Sequence, residues 1–166
     1  MGLDYRFRTP DDLLAKLERE RGRVFEGVKA EDDVGIADHF FNFCVTAHAL
    51  RDWVSKSEEF RARGDDVHAV CNRFPVLKAC RDIANSHKHF DFAKTRDTLA
   101  VFATTTKMVD VYQHVRTGEV HIAPPRDNAD LCVLLGDGNA PGLWEFMSDT
   151  MKAWQQVLAS LRLPRA

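Results

Sequence analysis

The pattern of apolar and polar residues divides the chain into a long helical stretch, a β-rich insert and one final helix. Up to about residue 90, and again over about 140–162, apolar residues recur at steps of three and four, which is the helical period. Between about 98 and 136, short runs rich in β-branched residues predict strands. Because helices and strands are segregated along the chain, we expect an α+β fold that is mostly α. The prediction is a single domain over residues 1–166: a four- to five-helix bundle (helices within about 9–90 and 140–162) with a small antiparallel β meander (about 98–136) inserted before the C-terminal helix.

Polar residues, proline and glycine mark the ends of the predicted helices. Thr9 suits the cap of the first helix, because its side-chain oxygen can accept a bond from an unpaired backbone amide. The second helix is expected to begin at about 31–33 and to end at about Ser57, with Gly64 in the loop that follows as the stop. Pro75 then opens the next helix.

The insert is expected to hold four short strands. Arg116 to Glu119 form a good hairpin turn, because Gly118 can take a positive φ. A longer loop is expected from Pro124 to Asp130. The predicted strands are Leu99–Thr105, Met108–Val115, Glu119–Ile122 and Leu131–Leu135.

Two helices offer an apolar surface on which a second subunit could pack. In the second helix, Phe41, Val45 and Trp53 lie away from the main apolar face, so most of the circumference is apolar. The last helix has a stripe of large apolar residues: Trp144, Met147, Met151, Trp154, Leu158 and Leu161. Such helices lie at the centre of a bundle or against a second subunit, so we expect a homodimer formed through the second or the last helix.

Composition narrows the class of protein. The 166 residues carry a formal net charge of −2, which argues against a protein that coats nucleic acid but allows a local basic site. The four cysteines form no CxxC pair and have apolar neighbours, so we expect reduced thiols and a cytoplasmic protein. No apolar run approaches the length that spans a bilayer, and the charged N-terminus lacks the apolar segment of a secretory signal. We therefore expect no membrane partner.

The sequence hints at chemistry in one place, the polar run CRDIANSHKHF at residues 80–90. On a straight helix, Arg81 shares a face with an asparagine, a lysine and a histidine, and His87 falls nearer to the apolar side. An arginine fork can clamp a phosphate, and a histidine that titrates near neutral pH can move a proton. We therefore take Arg81 and His87 as candidate catalytic residues of a metal-independent RNA-cleaving site. The candidate binding residues are Asn85, Lys88 and His89.

The same segment resembles a known motif. Arg81 and His87, with five residues between them, resemble the Arg-x(4–6)-His motif of the HEPN superfamily, and the resemblance covers this motif and the helical order around it. Members of that superfamily are all-helical bundles, are often dimeric and include many metal-independent ribonucleases. The resemblance implies that Arg81 contacts the scissile phosphate and that His87 is the acid/base group, with the motifs of two subunits facing each other across a dimer cleft. Asp82 stands where the family more commonly has asparagine, and a carboxylate there would repel a phosphate.

Two other interpretations of these polar residues are open. In the first, the protein is a non-catalytic scaffold or interaction protein in which Arg51–Asp52 pairs with Arg81–Asp82 across two packed helices. In the second, the protein is a metal-binding helical bundle, because His48 and Asp52 are four residues apart and so share a helix face. The candidate metal ligands are His48, Asp52, His87 and His89.

The leading hypothesis is an RNA-binding or RNA-cleaving protein that needs no cofactor and has RNA or another protein as its partner. An RNA-cleaving site requires Arg81 and His87 to be exposed in a shared cleft. A scaffold requires both to be buried and paired with Asp52 or Asp82.

Overall fold

The computed structural model of the chain describes residues 7–86, 98–108, 111–113, 120–122 and 126–163. Within these ranges the chain is mostly helical, as predicted. The helices are α1 (Pro10–Lys29), α2 (Asp33–Lys56), α3 (Gly64–Cys71), α4 (Pro75–Ser86) and α5 (Leu143–Arg162). The predicted turn at 116–119 and the predicted site residues His87, Lys88 and His89 lie outside the described residues.

Local capping explains where the first helices begin. Thr9 and Asp12 form a reciprocal capping box, in which the Thr9 side chain accepts from the Asp12 amide and the Asp12 carboxylate accepts from the Thr9 amide. The Asp32 carboxylate accepts from the Gly35 amide at 2.9 Å and so caps α2. Both starts agree with the sequence prediction.

The sequence predicted that Gly64 is a helix stop. In the structure Gly64 instead begins α3. Residues 61–63 form a short 3₁₀ helix that leads directly into it. A Cβ atom at Gly64 would lie only 2.7 Å from the carbonyl oxygen of Ser55 near the end of α2. Glycine is therefore needed here for the close approach of two backbones rather than for a helix stop.

α2 is the central helix of the described part of the chain, since α1, α3 and α4 all pack against it. α5 packs on α3 and α4, and its Phe146 meets Phe40 of α2 edge to face, with ring centroids 5.7 Å apart. The fully buried side chains include Phe43, Leu50 and Trp154. This packing brings residues from α2, α3, α4 and α5 to a common place, where the candidate site lies.

The strands pair in a different order from the predicted meander. β1 (Thr98–Met108) pairs with β4 (Arg126–Leu135), and β2 (Val111–Gln113) pairs with β3 (Val120–Ile122), both antiparallel. A meander would instead pair each strand with the next one in sequence. β4 also begins inside the predicted loop, because ladder pairing from Met108 opposite Arg126 draws its polar first half into the strand.

The end of β4 is tied to the start of α5. The amide of Val133 donates to the carbonyl of Pro141 at 3.1 Å, and the amide of Leu135 donates to that of Asn139 at 2.8 Å. Val133 and Leu135 are buried in the core. The β segment thereby fixes the first turn of the last helix against the other helices.

Among the helices described, none combines the length and the apolar character that crossing a membrane requires.

Candidate functional site

Arg81 lies on α4 with its side chain 28% exposed, beside a small pocket. Its Nε donates to Oδ1 of Asp82 at 2.9 Å, and the Asp82 side chain is buried. The ion pair joins neighbouring residues on one helix. It holds the guanidinium close to the helix.

The pocket beside Arg81 is formed by four helices. Residues of α2 and α4 reach it from consecutive turns, because positions three or four apart share a helix face. α5 contributes Trp154, and Cys71 at the end of α3 and Asn72 after it complete the lining. The lining residues are Ala47, His48, Arg51, Cys71, Asn72, Leu77, Lys78, Arg81 and Trp154.

The pocket is narrow. The cavity between the helices is only about 10 Å³ in volume. That is room for roughly one water molecule or one oxygen atom of a larger ligand.

Positive charge dominates the lining of the pocket. Arg51, Lys78 and Arg81 contribute three cations, and none of the described residues that line it is a carboxylate. Each of the two arginines has a described ion pair with the aspartate that follows it in sequence. Asp82 is bonded to Arg81, whereas Oδ1 of Asp52 lies 3.9 Å from Nε of Arg51, beyond hydrogen-bonding distance. The arrangement suits an anion.

Two buried N–H donors at this pocket lack an acceptor in the structure. They are Nε of Arg51 and Nε1 of Trp154. Trp154 is only 1% exposed, and the Arg51 side chain is 21% exposed. Buried polar groups are nearly always hydrogen-bonded, so two unmatched donors beside one pocket indicate a missing acceptor.

Thiol chemistry is disfavoured in this region. Burial raises the pKa of Cys71 to about 12, although the nearby positive charge of Arg51 acts in the opposite direction. Burial also raises the pKa of Cys44 well above its usual range, and its contact with Cys80 adds to this effect. Both thiols therefore stay protonated near neutral pH, and a protonated thiol is a poor nucleophile.

The structure brings together some of the predicted site residues. Arg81 is at the pocket with His48 and Arg51, which the sequence placed in two alternative interpretations. Asn85, one turn beyond Arg81, is half-buried and is not part of the lining. The remaining members of the predicted cluster, His87, Lys88 and His89, lie outside the described residues.

The described half of the predicted metal set does not converge. His48 lines the pocket beside Arg81, whereas Asp52 lines a different cavity near the start of α1. Across the described residues, no group of three or more His, Cys, Asp or Glu side chains is placed to hold a metal ion. The other two members of the set, His87 and His89, lie beyond those residues.

Sequence reasoning missed three of the polar lining residues: Asn72, Lys78 and Trp154. Lys78 precedes Arg81 by three residues, so helical spacing alone was a usable signal for it. Asn72 and Trp154 come from other helices and carry no local signal. The stripe that contains Trp154 was interpreted as core or subunit interface, and its burial agrees with core.

Comparisons with protein-family models, with curated proteins and with solved structures find no match to this chain. The function proposed below therefore depends on the pocket and on the residues around it.

Proposed function

We propose that this protein binds RNA through its phosphates at Arg81, and that His87 completes a metal-independent RNA-cleaving site of HEPN type. The observation that supports the proposal is the placement of Arg81 beside Arg51 and Lys78 in a pocket whose described lining has no carboxylate. Three cations in one small recess create a local positive potential in a chain whose net charge is −2.

The chemistry requires only the residue types that the cluster contains. In RNA cleavage without a metal, the 2′-oxygen forms a bond to phosphorus while the bond from phosphorus to the 5′-oxygen breaks. Arginine stabilises the negative charge that develops on the phosphate oxygens. Histidine takes the proton from the 2′-hydroxyl or supplies one to the leaving oxygen. Arg81 and His87 would have these two roles.

The proposal includes a homodimer in a reducing compartment. Dimers would bring two Arg81–His87 pairs to one cleft, as the HEPN resemblance implies. Each of the four cysteines is buried and is outside any disulfide, which suits the cytoplasm. The exposed rings of Phe25 on α1 and Trp144 on α5, whose centroids are 5.7 Å apart, give these two helices a shared surface on which a second subunit can pack.

One observation favours a second candidate function, a non-catalytic scaffold. The hydrogen bond from Arg81 to the buried carboxylate of Asp82 is the pairing that a structural role requires. A half-buried arginine that neutralises a buried aspartate stabilises the fold without any ligand. The two functions predict different consequences when Arg81 is changed.

The test is cleavage of labelled RNA in EDTA by the wild type and by His87→Ala and Arg81→Ala. His68→Ala is the matched control, because His68 is an exposed histidine on the neighbouring helix α3. We expect the wild type and His68→Ala to cut RNA. The other two variants should each lose at least about 100-fold of the rate, His87→Ala because an acid/base group is removed and Arg81→Ala because the charge that develops on the phosphate is no longer stabilised.

The outcomes separate the two candidates. Cleavage that continues unchanged in His87→Ala and Arg81→Ala would overturn the proposed site. If none of the proteins cuts or binds RNA, and Arg81→Ala lowers the melting temperature, the scaffold function is correct. Binding of RNA that depends on Arg81, without cleavage, would reduce the proposal to an RNA-binding protein.

A further inference from the structure

We propose that the pocket formed by α2, α3, α4 and α5 binds one oxygen atom of a phosphate group, which accepts hydrogen bonds from Nε of Arg51 and Nε1 of Trp154. The inference rests on the proposed RNA function for the source of the phosphate. The geometry of the pocket, however, is independent of cleavage. It adds Arg51 and Trp154 to the site as ligand-binding residues.

The donors at the pocket define the kind of ligand. Arginine, lysine and tryptophan side chains can donate hydrogen bonds but cannot accept them, and four such residues line the pocket: Arg51, Lys78, Arg81 and Trp154. A water molecule accepts two bonds but must also place its own two hydrogens. His48 and Asn72, which also line the pocket, can accept as well as donate, but a phosphate oxygen carries the negative charge that the three cations favour.

The two unmatched donors locate the acceptor. Nε1 of Trp154 and Nε of Arg51 are both buried and lack a hydrogen-bond partner. The carboxylate nearest to Arg51 Nε among the described residues, that of Asp52, is too distant at 3.9 Å to satisfy it. Because both residues line the same pocket, an acceptor bound there is the candidate partner for both groups.

The size of the pocket sets the mode of binding. Space for about one water-sized atom admits a single oxygen and excludes a whole phosphate. The remaining phosphate oxygens must stay at the mouth. Lys78 and Arg81, which also line the pocket, are half-buried, so both are partly exposed to solvent beside it.

The test uses the indole N–H signals in nitrogen–proton correlation spectra of the labelled full chain. The chain has three tryptophans, and Trp154→Phe identifies the signal of Trp154 by its loss. Three probes are added in turn: inorganic phosphate, a short RNA with a 5′-phosphate and the same RNA without it. RNA binding is measured on the same samples by filter retention.

We expect the Trp154 signal to shift in a saturable manner and the signal of the exposed Trp144 to stay in place. Arg51→Gln should lower the affinity for the probe about tenfold, because a charge-assisted hydrogen bond to the ligand is lost. Arg19→Gln is the matched control, since it makes the same change of charge at an exposed position on α1 and should have no effect.

Each outcome has a distinct meaning. A shift with inorganic phosphate or with the 5′-phosphorylated RNA alone identifies a terminal phosphate as ligand, and an equal shift with both RNAs identifies an internal phosphodiester. RNA retention without any shift of Trp154 keeps the proposed function and overturns this inference. A shift with phosphate but no RNA retention supports the pocket and overturns the proposed function. If the Trp154 signal does not move with any of the three probes, no phosphate oxygen binds in the pocket and the inference is overturned.

Discussion

Nε of Arg81 lies 2.9 Å from Oδ1 of Asp82, the residue that follows it on α4. The sequence suggested that a carboxylate at this position would repel a phosphate. In the structure the carboxylate is buried and bonded to the arginine, while the guanidinium remains 28% exposed beside the cationic pocket. Asp82 thus orients the arginine that the proposed function requires. Its negative charge is offset by the same bond.

The salt dependence of RNA binding tests the role of Arg81. Each phosphate contact releases condensed counterions, so the logarithm of the affinity falls with the logarithm of the salt concentration in proportion to the number of contacts. We expect Arg81→Gln to weaken binding to all RNA sequences alike and to reduce the slope by about 0.7 for a single strand. The measurement is fluorescence anisotropy over roughly 50 to 200 mM salt.

Arg19→Gln serves as the control in this series, because the net charge changes equally but the position is exposed on α1. If the slope of log affinity against log salt concentration fell equally in both variants, Arg81 would contribute only to the overall charge. The pairing with Asp82 would then be its main role.

The parts of the structure that depend on nearby residues were predictable. The cap at Thr9, the start of α2 and the helix that carries Arg81 follow from spacing and capping within a few residues. The pairing of β1 with β4 was not predictable, because the order of strands depends on contacts between distant segments that local patterns do not encode.

In the candidate site too, features that depend on nearby residues were predictable and those that depend on distant contacts were not. One interpretation expected Arg51–Asp52 to pair with Arg81–Asp82 across two helices; both arginines line one pocket, but the ion pairs described there join each arginine to the aspartate that follows it. The sequence could not show that Asp52 lies near Arg51 and Asp82 near Arg81, because these ion pairs depend on side-chain conformation. Nor could it show that Trp154, about 70 residues beyond Arg81, lines the same pocket and has a buried N–H without an acceptor.

Glu20 is a buried carboxylate that links α1 to α2, and its loss should be costly. Its oxygens lie 2.7 Å from Arg23, 3.3 Å from Nζ of Lys16 and 3.2 Å from Nδ1 of His39 on α2. We expect Glu20→Ala to lower the free energy of unfolding by about 2 kcal/mol, because partly buried donors lose their acceptor. Chemical denaturation measures this change.

Glu18→Ala is the matched control for Glu20. Glu18 bridges to Arg21 on the same helix, but its side chain is 49% exposed. An exposed pair of this kind contributes little, so the loss should stay below about 0.5 kcal/mol. If both variants lost the same free energy of unfolding, the burial of Glu20 between the helices would contribute nothing to stability.

The buried cysteines should be unreactive in the folded protein. Burial raises the pKa of Cys71 to about 12 and that of Cys44 well above its usual range, so little thiolate forms at pH values near neutral. We expect an aromatic disulfide reagent to react slowly with the native chain and to titrate all four thiols after unfolding in guanidinium. The unfolded Cys71→Ala variant should have three thiols that react. Rapid reaction of a native thiol would contradict the burial of that residue.

Asp12 should make the stability of the protein depend on acid pH. The amides of Arg8 and Thr9 and the Thr9 hydroxyl donate to its carboxylate at 2.8 to 3.0 Å, and these bonds lower its pKa below the ordinary value of 3.8. A lowered folded-state pKa stabilises the protein above the unfolded-state value, and this contribution is lost as the pH falls through the folded-state pKa. Asp12→Asn should therefore be less stable than the wild type at neutral pH, and the difference should shrink below about pH 3.8.

Urea unfolding of both proteins from neutral pH down to about pH 3 measures this difference. Asp11→Asn is the control, because it removes a carboxylate from the same first turn, where both acids complement the helix dipole. Asp11 does not belong to the capping box, so its substitution should change stability less and with a weaker dependence on pH. If the gap between Asp12→Asn and the wild type stayed constant down to acid pH, the ionised Asp12 carboxylate would not be what secures the start of α1.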